Sequence, residues 1–77
     1  MQLLIDTHAL LWWFSGDEAL SAEARNAIAD GSNSIYVSAA SVWEIATKNR
    51  LGKLIIASKL MADLDGSIAS QGFTVFQ

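Results

Sequence analysis

Apolar residues follow two rhythms along this chain. Leu3, Leu4 and Ile5 form a short continuous run that stops on Asp6, and Ile35, Tyr36 and Val37 form a β-branched run that stops on Ser38. Short continuous apolar runs of this kind predict strands buried in a parallel sheet. The segments between them carry helical spacing. Asp6 or Thr7 caps a helix to about Phe14, which Ser15-Gly16-Asp17 closes as a turn. Leu20-Ser21 leads into a second helix with Ala24, Ala27 and Ile28 on one stripe, ended by Asp30-Gly31-Ser32-Asn33-Ser34. Ser38 to Ser41 caps a third helix running to about Leu51, with Gly52 as its stop and Lys48 and Arg50 near its negative end. Ser58 to Ser70 reads as a fourth helix with Leu60, Met61, Leu64 and Ile68 on one face; after Gly72, Phe73-Thr74-Val75-Phe76 reads as a third strand.

Strands alternating with helices imply parallel βαβ units with right-handed crossovers, here about three strands and four helices in an α/β fold. With 77 residues, no proline and no internal repeat, the sequence predicts one domain over residues 1–77, near the lower size limit for a self-sufficient core. The chain has no cysteine, which excludes disulfides and zinc-thiolate chemistry and fits a reducing cytoplasm. Net charge is −3, from five Lys+Arg against eight Asp+Glu, so the broad basic footprint of a phosphate-gripping protein is missing. The first apolar run is broken by Asp6 and His8 and lacks a basic leader, so neither a signal peptide nor a membrane span is expected, and the location expected is cytoplasmic. Parallel sheets are usually buried on both faces. A chain ending on a strand is expected to leave one face and one edge uncovered.

Two carboxylates draw the chemistry to one place. Asp6 follows the first strand, Glu44 lies on the helix after the second, and ligands of open α/β sheets bind beyond the carboxyl ends of the strands. Taken singly, each has a structural reading: Asp6 is a good N-cap, Ser41-x-x-Glu44 is a capping box in the first turn, and Glu44 with Lys48 is a favourable i,i+4 pair. Taken as a pair on adjacent strands, they repel by about 4 kcal/mol at roughly 4 Å and a surface-like dielectric. A shared proton, a cation or simple separation relieves this. A hard divalent cation, Mg²⁺ or Mn²⁺, suits oxygen ligands and can assist phosphoryl hydrolysis. Thr7 and Ser38 flank the carboxylates and are candidates to orient water or phosphate, although capping explains both. His8 is a candidate with no evident partner. Trp12, Trp13, Phe14 and Trp43 can stack on bases, but aromatic residues in apolar runs more often fill a core or an interface. Three consecutive aromatic residues cannot share one helix face, which points to contact with a partner chain. Asp17, Glu18, Glu23, Asp30, Asp63 and Asp65 read as solvated charge.

Leu4-Ile5-Asp6-Thr7-His8-Ala9-Leu10-Leu11-Trp12-Trp13, Val37-Ser38-Ala39-Ala40-Ser41-Val42-Trp43-Glu44-Ile45 and Leu51-Gly52-Lys53-Leu54 together resemble the PIN-domain ribonucleases, specifically the VapC-type toxins of toxin–antitoxin pairs. The resemblance spans most of this chain and the amino-terminal half or so of such a domain. It implies a three-layer α/β/α architecture, apparently truncated here. It also implies Asp6 and Glu44 as catalytic and metal-binding residues for Mg²⁺ or Mn²⁺, with Thr7 beside the site. The family completes its acidic cluster with Asp residues from later elements, which do not occur before Gln77. Asp63 and Asp65 precede the third strand and do not stand in for them.

The function implied is a metal-dependent endoribonuclease acting as a toxin, with RNA as substrate, a cognate antitoxin as partner and a tendency to homo-oligomerise. The alternative is a truncated, catalytically inactive module that binds an antitoxin or itself. A purely structural fragment, with both carboxylates acting as caps, is the third reading.

Overall fold

In the computed structural model, which describes residues 1–77, strands β1 (Gln2–Ile5), β2 (Ser34–Ser38) and β3 (Thr74–Phe76) form a parallel sheet in the order β1-β2-β3. The register sets Ile5 beside Val37 and Val75, and Leu4 beside Tyr36 and Thr74. Successive side chains point to opposite faces, so Ile5, Ile35 and Val37 lie on one face and Leu4, Tyr36 and Phe76 on the other. The first face is buried; Val37 has no exposed surface. The second is open, with Leu4 65% and Phe76 40% exposed and the Tyr36 and Phe76 rings edge to face at 6.4 Å. Right-handed crossovers advancing in one direction lay their helices on one side of a sheet. That accounts for the asymmetry and gives the expected α/β class, a parallel sheet with flanking helices.

Local chemistry fixes where each helix starts. Asp6 holds an extended backbone, and its Oδ1 accepts from the Ala9 N–H at 2.8 Å, opening α1 (Thr7–Ser15). Gly16 ends α1 in the left-handed region at φ 68°, where its N–H reaches the Trp12 carbonyl and a side chain would be strained. Ser21 caps α2 (Ala22–Ala29) through the Ala24 N–H at 3.1 Å. Asp30 then turns the chain toward β2, its Oδ1 accepting from the Ser32 N–H and hydroxyl, and these bonds hold its carboxyl below the usual carboxylate range.

Two sequence expectations are corrected here. Helix α3 (Ala39–Arg50) is capped by the Ser38 hydroxyl, which accepts from the Ala40 N–H at 3.1 Å. Ser41 therefore lies inside the helix, no Ser41-x-x-Glu44 box forms, and Glu44 falls in the second turn instead of the first. Ser38 presents its capping oxygen at the strand end, and Ala39 and Ala40 are strong helix formers that carry the helix back to it. The fourth helix is two. α4 (Ser58–Ala62) stops at Asp63, whose backbone leaves the helical region at φ −149° and ψ 72°. The Asp63 Oδ1 then accepts from the Gly66 N–H at 3.0 Å to open α5 (Leu64–Ser70). Any Cβ at residue 66 would collide with the Asp63 carboxylate, so Gly66 makes this cap possible. Asp63 is exposed, as expected of surface charge, but it also has this structural task. The apolar stripe survives the break: Leu64 and Ile68 are buried, and Leu60 and Met61 pack beside them.

The core is small and wholly apolar. Leu10 of α1, Val37 of β2, Ile45 of α3 and Ile68 of α5 are its fully enclosed members. Trp12, Trp13 and Phe14 all pack against it, so their consecutive placement does not require a partner chain. α1 has neighbours on two sides: Trp13 meets Phe73 at 5.9 Å and donates to the Gln71 Oε1 at 3.2 Å, while Trp12 and Phe14 face the segment 54–57. Trp43 of α3 is more exposed than Phe76, at 68%. No helix is long and apolar enough to cross a membrane.

Candidate active site

β1 and β2 are adjacent and parallel, so Asp6 and Ser38 emerge from the same end of the sheet. Asp6 is solvent-exposed with its Oδ1 committed to the Ala9 N–H. Glu44, one turn further into α3, is half-buried and pairs its Oε2 with the Lys48 Nζ at 3.1 Å. The Thr7 hydroxyl lies beside the Glu44 carboxylate and is the main reason that its carboxyl sits below the usual range; Lys48 adds to this by hydrogen bond and by charge, and the His8 charge contributes further. Thr7 follows Asp6 directly as the first residue of α1, the helix that packs against α3.

The Thr7 to Glu44 link is the feature that sequence reasoning missed. Thr7 and Glu44 are distant in the chain and neither carries a spacing signal for the other. The usable hint was topological: the first helical residue after β1 and the second turn after β2 are brought together when those strands are neighbours. Because the folded-state pKa of Glu44 is lowered, the stability this carboxylate adds is present above its ordinary value of 4.5 and is lost as pH falls through the lowered value. Replacing Thr7 with Val removes the principal hydroxyl partner while keeping the shape. The Glu44 titration midpoint, followed by carboxyl-carbon NMR in metal-free buffer, then rises toward 4.5; an unmoved midpoint would remove Thr7 from the site.

Other candidates are placed less directly. The Ser38 hydroxyl is committed to capping α3, and a role toward substrate would compete with that bond. His8 is exposed on α1 beside Trp12. Asp63 caps α5, and Asp65 lies exposed in its first turn. No three His, Cys, Asp or Glu side chains come together in a geometry that would hold a metal ion. Asp6 and Glu44 nevertheless supply the hard oxygen donors that Mg²⁺ takes, since that ion is commonly held by one or two carboxylates with waters and phosphate filling its shell. The donor chemistry of each carboxylate suits such an ion.

A family model described as PIN domain matches residues 3–69, and this chain belongs to the PIN domain family. No curated protein and no solved structure gives a significant match. Membership suggests nuclease-type function and RNA binding, and PIN domains generally use divalent metal ions.

Proposed function

We propose that this chain is a metal-dependent endoribonuclease that hydrolyses RNA phosphodiesters in the cytoplasm as the toxin of a VapC-type toxin–antitoxin pair. What supports this reading is membership of the PIN domain family together with Asp6 directly after β1 and Glu44 on the helix that leaves the adjacent parallel strand β2. Asp6 and Glu44 would hold Mg²⁺ or Mn²⁺, which would supply charge stabilisation at the phosphoryl oxygens. Thr7 and Lys48 favour the ionised form of Glu44, and Lys48 pairs with its Oε2 at 3.1 Å. Asp6 is fixed by its bond to α1, and its exposure leaves its carboxylate open to a cation from solvent. The test is cleavage of single-stranded RNA with Mg²⁺ or Mn²⁺ by the chain and by its Asp6→Asn and Glu44→Gln variants.

A second reading, a catalytically silent module that binds itself or an antitoxin, is favoured by the open sheet face of Leu4, Tyr36 and Phe76. An exposed apolar face of this kind beside an unpaired strand edge promotes association. On this reading the chain sediments as a dimer at tens of micromolar, and Leu4→Glu returns it to monomer. Sedimentation as a monomer at every concentration removes self-association.

A further inference from the structure

A groove of about 370 Å³ runs along α1 on the side away from Trp13, lined by His8, Trp12 and Phe14 on the helix and by Leu54, Ile56 and Leu60 opposite, with Asp17 at the end away from His8 as its one carboxylate and no Lys or Arg in its lining. His8 and Trp12 are one helical turn apart, with ring centroids 5.9 Å apart and planes tilted by 46°. His8 is one residue beyond Thr7, so the groove begins where the candidate active site ends. Its far wall is tied to the end of α3: the Asn49 Nδ2 donates to the Leu54 carbonyl at 2.9 Å, and the Lys53 N–H donates to the Lys48 carbonyl at 2.9 Å. Three of the five Lys and Arg residues, Lys48, Arg50 and Lys53, are gathered in that turn, and all three are exposed. Net charge conceals this local grouping. Lys48 also reaches Glu44, so the cationic turn borders both the acidic pair and the groove.

We propose that this groove seats a nucleobase of single-stranded RNA, with His8 and Trp12 as stacking residues and Lys48, Arg50 and Lys53 following the adjoining phosphates. The proposal deepens the nuclease reading and rests on it for the position of the scissile bond. Aromatic faces stack on any base, and cations beside them track the backbone, the combination by which proteins hold single strands without sequence preference.

The test is binding in EDTA, where no hydrolysis is required. Fluorescence anisotropy compares a labelled single-stranded oligoribonucleotide with an abasic strand of the same length. The chain binds the base-bearing strand roughly ten- to a hundredfold more tightly. Trp12→Leu, which keeps an apolar side chain without a π-face, loses that preference, whereas Trp12→Phe retains it. His8→Ala, at an exposed position, weakens the base-bearing strand alone. Lys53→Gln weakens both strands alike and reduces the salt dependence. Equal binding of the two strands by the parent chain, or an unchanged preference in Trp12→Leu, overturns the proposal and leaves the groove to a protein segment. A base preference that survives when Asp6→Asn cleaves as well as the parent chain would sink the catalytic reading and keep the binding one.

Discussion

Asp6→Asn and Asp6→Ser are each expected to reduce metal-dependent RNA cleavage roughly a hundredfold or more, the scale of removing one fixed electrostatic group from a reacting centre. Their thermal unfolding should barely change. Asp6 has two tasks that these substitutions separate: its Oδ1 caps α1 through the Ala9 N–H, and its negative charge faces solvent at the strand end. Asn and Ser cap about as well as Asp, so the helix keeps its start while the carboxylate is gone. Asp6→Ala loses the cap as well and should cost about 1 kcal/mol of stability. Glu44→Gln should match the Asn variant in activity, since the Glu44 ion pair with Lys48 is on the surface and surface pairs contribute little to stability. Cleavage rates measured beside circular-dichroism melts decide the matter. Full activity in a well-folded Asp6→Asn chain would reduce Asp6 to a cap and remove the endoribonuclease reading.

The order of strands and helices was legible because it rests on periodicity and turn chemistry, which are local. Asp6, Ser21 and Gly16 act where their residue types predict. What failed was local competition. Ser38 and Ser41 both had the right chemistry to start α3, and the choice fell to the one at the end of β2, because Ala39 and Ala40 extend the helix to it. At Asp63 the apolar stripe runs unbroken through a helix break, since burial of Leu64 and Ile68 constrains which way side chains point and not whether every backbone bond between them is helical. Asp6 after β1 and Glu44 on the helix after β2 could be placed from the order of elements, whereas the influence of the Thr7 hydroxyl on Glu44 is tertiary and has no signature in either segment.

Leu10→Ala and Ile45→Ala are expected to lower the melting temperature by about 10 °C or more, the largest stability effect available in this chain. Both side chains are fully buried, on α1 and α3, the two helices whose approach also sets Thr7 against Glu44. Truncating an enclosed Leu or Ile costs about 2–5 kcal/mol, because the lost contacts leave a cavity that the surroundings fill only in part. A domain of this length has in total about 4–12 kcal/mol at its disposal. Only ten side chains are buried, so few neighbours can collapse into the space. The site should respond with the core. In a variant that remains folded at low temperature, loosening α1 against α3 weakens the hold of Thr7 on Glu44, and the Glu44 midpoint drifts upward before the chain unfolds. Ile55→Ala provides the contrast, since Ile55 is 97% exposed and its loss should leave the melt within about a degree of the parent. Equal melting temperatures for Leu10→Ala and Ile55→Ala would mean that α1 is not anchored through Leu10, and the site geometry built on that helix would have to be redrawn.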